Sequence, residues 1–284
     1  NLYLKGCYHT LKFTAEGLGK ARECFEQAIA EDPNYALAYV GLAVYYHHLG
    51  VFGIRPPKEM WLKCQEAAQK ALELDDKLAA AYTVGGVHRS LEFDWVGSER
   101  EFRKGLELEP DSAEIWTAYD YHWLVPMRRL EEAVAASRRA LERDPLSPYM
   151  HWRLGYRFYL QRQFDLAIEM CAKTIELDLS YFVAHQFLGL SYLHKGMFDT
   201  GVRALETAVA HSAGNTVSSA ALGYGYGRAG RNDDARKLLE DLKALAQKTY
   251  VLPSSIGLVH LGLGEIDPSF EWLEKAIDER DVMV

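Results

Sequence analysis

The segment GYGRAG sets Gly225, Gly227 and Gly230 in a GxGxxG pattern, with acidic residues downstream. In a dinucleotide site such glycines follow a strand and open a helix, so that backbone N–H groups and the helix dipole hold the pyrophosphate. Here they close a helical stretch instead, and Gly230 falls where a turn is expected, so the turn reading is preferred. His47 and His48 are adjacent, and on a helix their side chains diverge by about 100°, too far to chelate one ion together. The ten histidines and four cysteines show neither HExxH nor a paired spacing that suits zinc. No GxSxG elbow and no P-loop occurs. The acidic pairs Asp75-Asp76 and Asp233-Asp234 fall at predicted helix ends, and Asp233 and Asp234 near a helix start favour its dipole. With no convergent acid, base or nucleophile, the expectation is a chain that is not an enzyme and carries no metal or cofactor.

Positioning the remaining residues is the task of a folded chain, because 49% hydrophobic and 25% charged residues are the proportions of a globular protein. The 32 Lys+Arg against 40 Asp+Glu leave a net charge of −8. That balance argues against sequence-independent nucleic-acid binding, which needs a basic surface to displace counterions. Arg128, Arg129, Arg138, Arg139 and Arg143 are interleaved with Glu131, Glu132 and Glu142, the pattern of a solvated helix face. Four cysteines in 284 residues make no disulfide framework, and Cys64 and Cys171 fall at packing positions. No apolar run approaches the ~20 residues that span a bilayer, and no signal peptide is recognisable. The chain starts at Asn1 directly in an apolar helical pattern, which predicts a piece of something longer.

The elements follow from an internal repeat. Leu154-Gly155, Leu188-Gly189, Leu222-Gly223 and Ile256-Gly257 recur at a step of 34 residues, and the column continues backwards through Asp120, Gly86, Ala43 and Gly6. A second small residue follows twelve positions later at Ser98, Ala167, Gly201, Ala235 and Ser269. It comes after insertions of three, nine and one residues at Ala21, Cys64 and Ala133. A third column, mostly small, lies seven further on, from Ala28 and Ala71 to Ala208, Leu242 and Ala276, with larger residues such as Phe25, Phe102 and Leu205 between. Pro33, Pro110 and Pro145 close several units. Small residues at fixed positions let two helices approach, and the larger residue fills the space made. Phe164, Ala167, Ile168, Cys171 and Ile175 trace one helical face. One hairpin cannot bury such a face alone, whereas stacked neighbours can. In the second repeat the segment Val51–Trp61 reads as a long turn made extended by Pro56-Pro57.

These columns resemble the tetratricopeptide repeat family over nearly the whole chain. The resemblance implies an all-α, right-handed superhelical solenoid of about eight helix-turn-helix repeats. The expected units are 1–33, 34–76, 77–110, 111–145, 146–179, 180–214, 215–248 and 249–284, in one domain. YLKG, FDWVGSEREFRKGLELEP, RDPLSP, GRNDDARKLLEDL, YVLPSSIGLVHLGLGE and FEWLEKAIDER further resemble the repeat region of large bacterial regulators. In those proteins a winged-helix DNA-binding domain, a nucleotide cyclase or a Ser/Thr kinase usually precedes the repeats.

By the same resemblance, the first helix of each repeat lines a concave surface. Counting its positions here selects Thr117 and Tyr121 in the fourth repeat, Tyr149, Trp152, Tyr156 and Tyr159 in the fifth, Gln186, Leu190 and His194 in the sixth, and Tyr224 and Arg228 in the seventh. Of these, Tyr121, the four of the fifth repeat, Gln186, Tyr224 and Arg228 are the expected main surface. Tyrosine, tryptophan and arginine carry much of the energy of interfaces. Packing against a neighbouring first helix is the alternative for each aromatic. Yet Leu154, Gly155 and Phe158 already supply the packing face of the helix that carries four of them. The positions of the family's lysine and asparagine clamp for chaperone tails hold aromatic or aliphatic residues, so that ligand is not expected. The resemblance thus implies a scaffold module binding a protein or peptide, with a small-molecule sensor using the same groove as the alternative. Direct nucleic-acid binding and membrane contact are not expected, and self-association is left open. The expected location is the cytoplasm, or the periplasm if the repeats follow a membrane-spanning segment.

Overall fold

A computed structural model describes residues 1–12 and 14–281. Sixteen α-helices and one π-helical turn make up its regular structure, and no strand occurs among the described residues. The chain divides into two compact units, residues 1–129 and 130–284. The first pairs α1 (Leu2–Thr10) with α2 (Ala15–Glu31), α3 (Ala36–Val51) with α4 (Pro57–Leu74), and α5 (Ala79–Leu91) with α6 (Trp95–Leu108), and ends in α7 (Ala113–Tyr119). The second begins with α8 (Leu130–Arg143). It then pairs α9 (Pro148–Leu160) with α10 (Phe164–Leu177), α11 (Phe182–His194) with α12 (Phe198–His211), α13 (Thr216–Arg228) with α14 (Asn232–Ala246), and α15 (Pro253–Gly262) with α16 (Ile266–Asp278). The boundary between the two units lies inside the repeat expected at 111–145. There α7 gives way to the π-helical turn Asp120–Leu124, and Asp120, buried, holds the column that small residues occupy elsewhere.

Within a hairpin the columns bring backbones together. A Cβ on Gly189 would lie 2.8 Å from the carbonyl oxygen of Gly201, and one on Gly201 would lie 2.9 Å from that of Gly189. Where the second column is serine, its hydroxyl donates to the carbonyl of the first: Ser98 to Gly86 at 2.8 Å and Ser269 to Gly257 at 2.9 Å. The larger residue between the columns fills the space, as Phe102 and Leu205 do without measurable exposure. Helix starts are capped as the sequence allows: Thr14 and Asp94 accept from the backbone N–H of Gly17 and Gly97, and Asn215 from Val217 and Ser218.

Junctions between hairpins are fastened in two further ways. Asp32, Asp75 and Asp178, each ending a second helix, accept from the backbone N–H two residues on. Four positions before the small-residue column, the tips of Tyr39, Tyr82, Trp116, His151 and His185 reach back to the carbonyl six residues earlier. Only the ring nitrogen can donate in the histidine cases, which sets Nε2 as the protonated atom. From the third column to the next first column the count is fifteen residues at all seven junctions, from Ala28–Ala43 to Leu242–Gly257.

The turn expected over Val51–Trp61 is shorter in the structure. Val51 ends α3, α4 starts at Pro57, and only residues 52–56 lie between them. The nine inserted residues mainly lengthen the two helices. Pro57 suits the first turn of α4, where its missing N–H has no partner to lose, and Pro56 takes the extended backbone that a following proline favours.

Two features first read for chemistry have packing roles. A Cβ on Gly227 would run into the backbone of Gly262, and one on Gly262 would lie 2.6 Å from Tyr224 Cα, so α13 and α15 touch backbone to backbone. Gly230 has φ +76°, the left-handed conformation of a turn. The GxGxxG spacing therefore records a close helix crossing followed by a turn. His47 and His48 are half-buried, with both Nδ1 atoms sealed from solvent. The His47 ring lies 4.9 Å from His122 and 5.7 Å from Trp61, while His48 stacks on Phe52. Burial holds both imidazoles neutral, His47 well below its usual 6.5 and His48 down to about 4.

Two outcomes are expected. Replacing Gly227 with alanine forces two backbones apart and should lower stability by ~1–3 kcal/mol, measured by urea unfolding, with no effect on a titration with NAD or ATP. Unfolded histidines take up protons near 6.5, whereas His48 resists until about 4 and His47 also stays neutral well below 6.5, so acidification below 6.5 favours the unfolded first unit. Hydrogen exchange in α3 and α4, corrected for intrinsic rates, should quicken from pH 6.5 towards 4, and His47→Asn should remove part of that dependence.

Candidate binding face

The first helices α9, α11 and α13 lie side by side in the second unit. Tyr149, Trp152, Tyr156 and Tyr159 stand at i, i+3, i+7 and i+10 on α9, one stripe, and all four are half-buried. What covers them is α11. Phe187 receives Tyr156 at 4.8 Å, Tyr159 at 5.3 Å and Trp152 at 6.4 Å between ring centres, and Tyr181 lies 6.2 Å from Trp152. Trp152 also stacks on Tyr156 with planes 12° apart. The stripe thus joins two first helices and presents its remaining half to solvent. The Trp152 indole N–H and the Tyr181 hydroxyl are sealed inside this cluster without a hydrogen-bond partner. Burial also raises the Tyr181 phenol well above its ordinary range.

Other expected positions are placed differently. Gln186 is buried, and its Oε1 accepts from the Ser218 hydroxyl at 2.9 Å, binding α11 to α13. Tyr224 is 7% exposed and packs with Leu190, Leu205 and Leu222. Both were expected on an open surface. They are buried because the next first helix arrives on the side to which these residues point. Arg228 is exposed, and its guanidinium donates to the Tyr224 hydroxyl at 3.5 Å and lies over that ring. Tyr121 is half-buried in the π-helical turn of the first unit, edge-on to His122 at 4.8 Å.

Where α9 and α11 end, a polar cluster borders the aromatic face and joins Tyr159 and His194, both expected there, to Phe164 and Arg162, which were not. The Tyr159 hydroxyl and His194 Nε2 are 3.1 Å apart, Phe164 stacks flat on His194 at 4.9 Å, and Arg162 lies over Phe164 at 5.9 Å. Burial pushes the Tyr159 phenol up to about 12. His194 is held below 6.5 by burial and by the positive charges of Arg162 and Arg228. One signal was available in the sequence: Arg162 stands 34, 68 and 102 residues before Gly196, Gly230 and Gly264, a turn column otherwise filled by glycine in the last repeats.

No enclosed chamber accompanies this face. An open depression of about 310 Å³ lies beside it at Arg162, Phe164, Asp165 and Lys195. A second, of about 530 Å³, runs along the outer face of α6, where Arg103 pairs with Glu99 and Lys104 with Glu107. Among the described residues no three His, Cys, Asp or Glu side chains are grouped to hold a metal ion, and no helix is long and apolar enough to cross a membrane. Cys64 and Cys171 are fully buried, and burial pushes both thiols up to about 12.

Hairpins stacked through recurring small-residue columns define a helical-repeat protein. The tetratricopeptide repeat family profile matches residues 11–52 and 124–178. Those two segments match tetratricopeptide repeats, and the helical hairpins of the chain have the architecture of a tetratricopeptide-type solenoid. Transcriptional regulator HilA of Salmonella typhimurium is 29% identical to it over 145 residues, 51% of this chain and 26% of that relative. The chain thus spans about a quarter of the relative's length. Among solved structures, the human IFIT1 dimer with PPP-AAAA matches with TM-score 0.70 at 16% identity, over 93% of this chain and 69% of that one. PilW, a type IV pilus biogenesis factor, matches with TM-score 0.58 at 18% identity, over 74% and 92% respectively. At these identities the solved structures speak to the fold.

Because α11 rests on the stripe, Trp152 and Tyr156 hold the fold as well as facing outwards. Replacing either with alanine should lower stability by ~1–3 kcal/mol, below the 3–5 of a fully buried aromatic. Urea unfolding checks this, and an unchanged midpoint would mean that α11 does not lean on these rings.

Proposed function

We propose that this protein is a binding module without catalytic activity of its own, and that the second unit takes a peptide or protein segment along the first-helix face. The observation that carries the reading is the line of half-buried rings from Tyr149 to Tyr159, anchored on Phe187 and bordered by Arg228. Rings held by a neighbour lose little freedom when a ligand covers their other half. An open face suits an extended chain, whereas a compact ligand needs enclosed volume, and the depression beside this face is open. A net charge of −8 favours a protein ligand over nucleic acid. The similarity to a transcriptional regulator over half the chain supports a regulatory setting, with this region as the part that senses or docks a partner.

Site-specific photo-crosslinking tests the reading. A benzophenone amino acid at Tyr149 or Arg228 should trap partner segments. The same group at Leu177 or Leu245, exposed on second helices, should not. Trapping only from Leu177 or Leu245 would move the binding surface to the opposite face.

A further inference from the structure

The ends of three successive first helices carry basic side chains, and the charge of the two arginines among them is left unbalanced by the described residues. Arg162 follows α9, His194 ends α11 and Arg228 ends α13. No carboxylate forms an ion pair with Arg162 or Arg228, and the acid beside Arg162, Asp165, is held by Lys195. The two arginines make only ring and hydroxyl contacts, with Phe164 and Tyr224. Tyr159, which meets His194, packs in the same cluster as Tyr224, so the groups border one patch. A cation near a helix C-terminus complements the dipole, which accounts for Arg228 at the end of α13. Arg162 lies beyond its helix, at φ +60°, in a left-handed turn position that glycine fills in the next three repeats. A side chain strains that conformation, and Phe93 at φ +62° and Arg128 at φ +59° bear the same strain at the turns of the two preceding repeats.

We propose that Arg162, His194 and Arg228 form the acid-reading end of the aromatic face, receiving a side-chain carboxylate of an acidic peptide whose neighbouring apolar residue lies against Tyr159 and Phe187. The proposal rests on the peptide-binding reading and adds the ligand's chemistry. The guanidinium N–H groups donate to the carboxylate, and such charge-assisted bonds are the stronger kind. The surrounding rings lower the local dielectric and strengthen them further. Asp165 and Glu206 are occupied by Lys195 and by Tyr226 with Arg231, which leaves the two arginines to an external anion.

Selection from a random-peptide phage library tests this, using the full chain and the variant Arg162→Gly/Arg228→Gln. Glycine suits the left-handed turn, so the variant should melt no lower than the parent. The parent should enrich peptides with Asp or Glu beside an aromatic or leucine. The variant should still enrich apolar residues, while its preference for the acid falls about tenfold, the scale of one charge-assisted contact. Apolar enrichment without acidic bias in the parent would overturn the proposal and leave peptide binding standing. No enriched pool at all would overturn both. A 5′-triphosphate oligonucleotide that competes on the parent but not on the variant would assign the cluster to phosphate and also overturn it.

Discussion

Two helix backbones in touch, with nothing larger than a hydrogen or a methyl between them, are the contact on which the rest depends. Gly189 against Gly201 is the barest case, and the serine hydroxyls on the carbonyls of Gly86 and Gly257 are the same contact made polar. Close approach sets the spacing within a hairpin. That spacing decides how large a residue fits between the columns, and Phe102 and Leu205 fill it completely. Substituting bulk at these positions would do more than open or crowd a cavity. It would change the angle at which the following hairpin is presented.

The face on α9 follows from that geometry. With the packing positions occupied by Leu154, Gly155 and Phe158, side chains offset from them must look towards the neighbouring first helix and beyond it. Tyr149 to Tyr159 therefore meet α11 with one half and solvent with the other. Such residues stiffen the wall and form it at the same time. Its polar margin lies where helices end and arginines can extend over rings without burying their charge.

Much of this was legible in the sequence. The columns at Gly155, Gly189, Gly223 and Gly257 gave the period, the hairpins and the all-helical class, because close packing tolerates few residue types at those points. The turn role of Gly230 was legible too. The π-helical turn at Asp120–Leu124 was not, since it differs from an α-helical one by a shift in hydrogen bonding that residue types barely record. Gln186 and Tyr224 were misplaced because position within one helix does not tell how closely the next one leans. The nine inserted residues before Cys64 were assigned to a loop, yet a turn of five and longer helices absorb them, because Pro57 is as compatible with a helix start as with an extended path. The ring tips at Tyr39, Tyr82, Trp116, His151 and His185 went unread because hydroxyl, indole and imidazole perform one task under three residue names.

Those ring tips bear on how such a chain can change length. Insertions of three, nine and one residues all fall inside a hairpin, in its turn or in the helix ends beside it, while the fifteen-residue interval between hairpins never varies. A turn inside a hairpin closes no bond beyond its own, so growth there leaves the column contacts in register. At a junction, an aspartate and a ring tip each reach a fixed number of residues, and one extra residue would strand both. Segment 52–56 is accordingly a place where a grafted loop or epitope can be accepted, and the Asp32–Tyr35 and Asp178–Tyr181 corners are where the chain keeps its count.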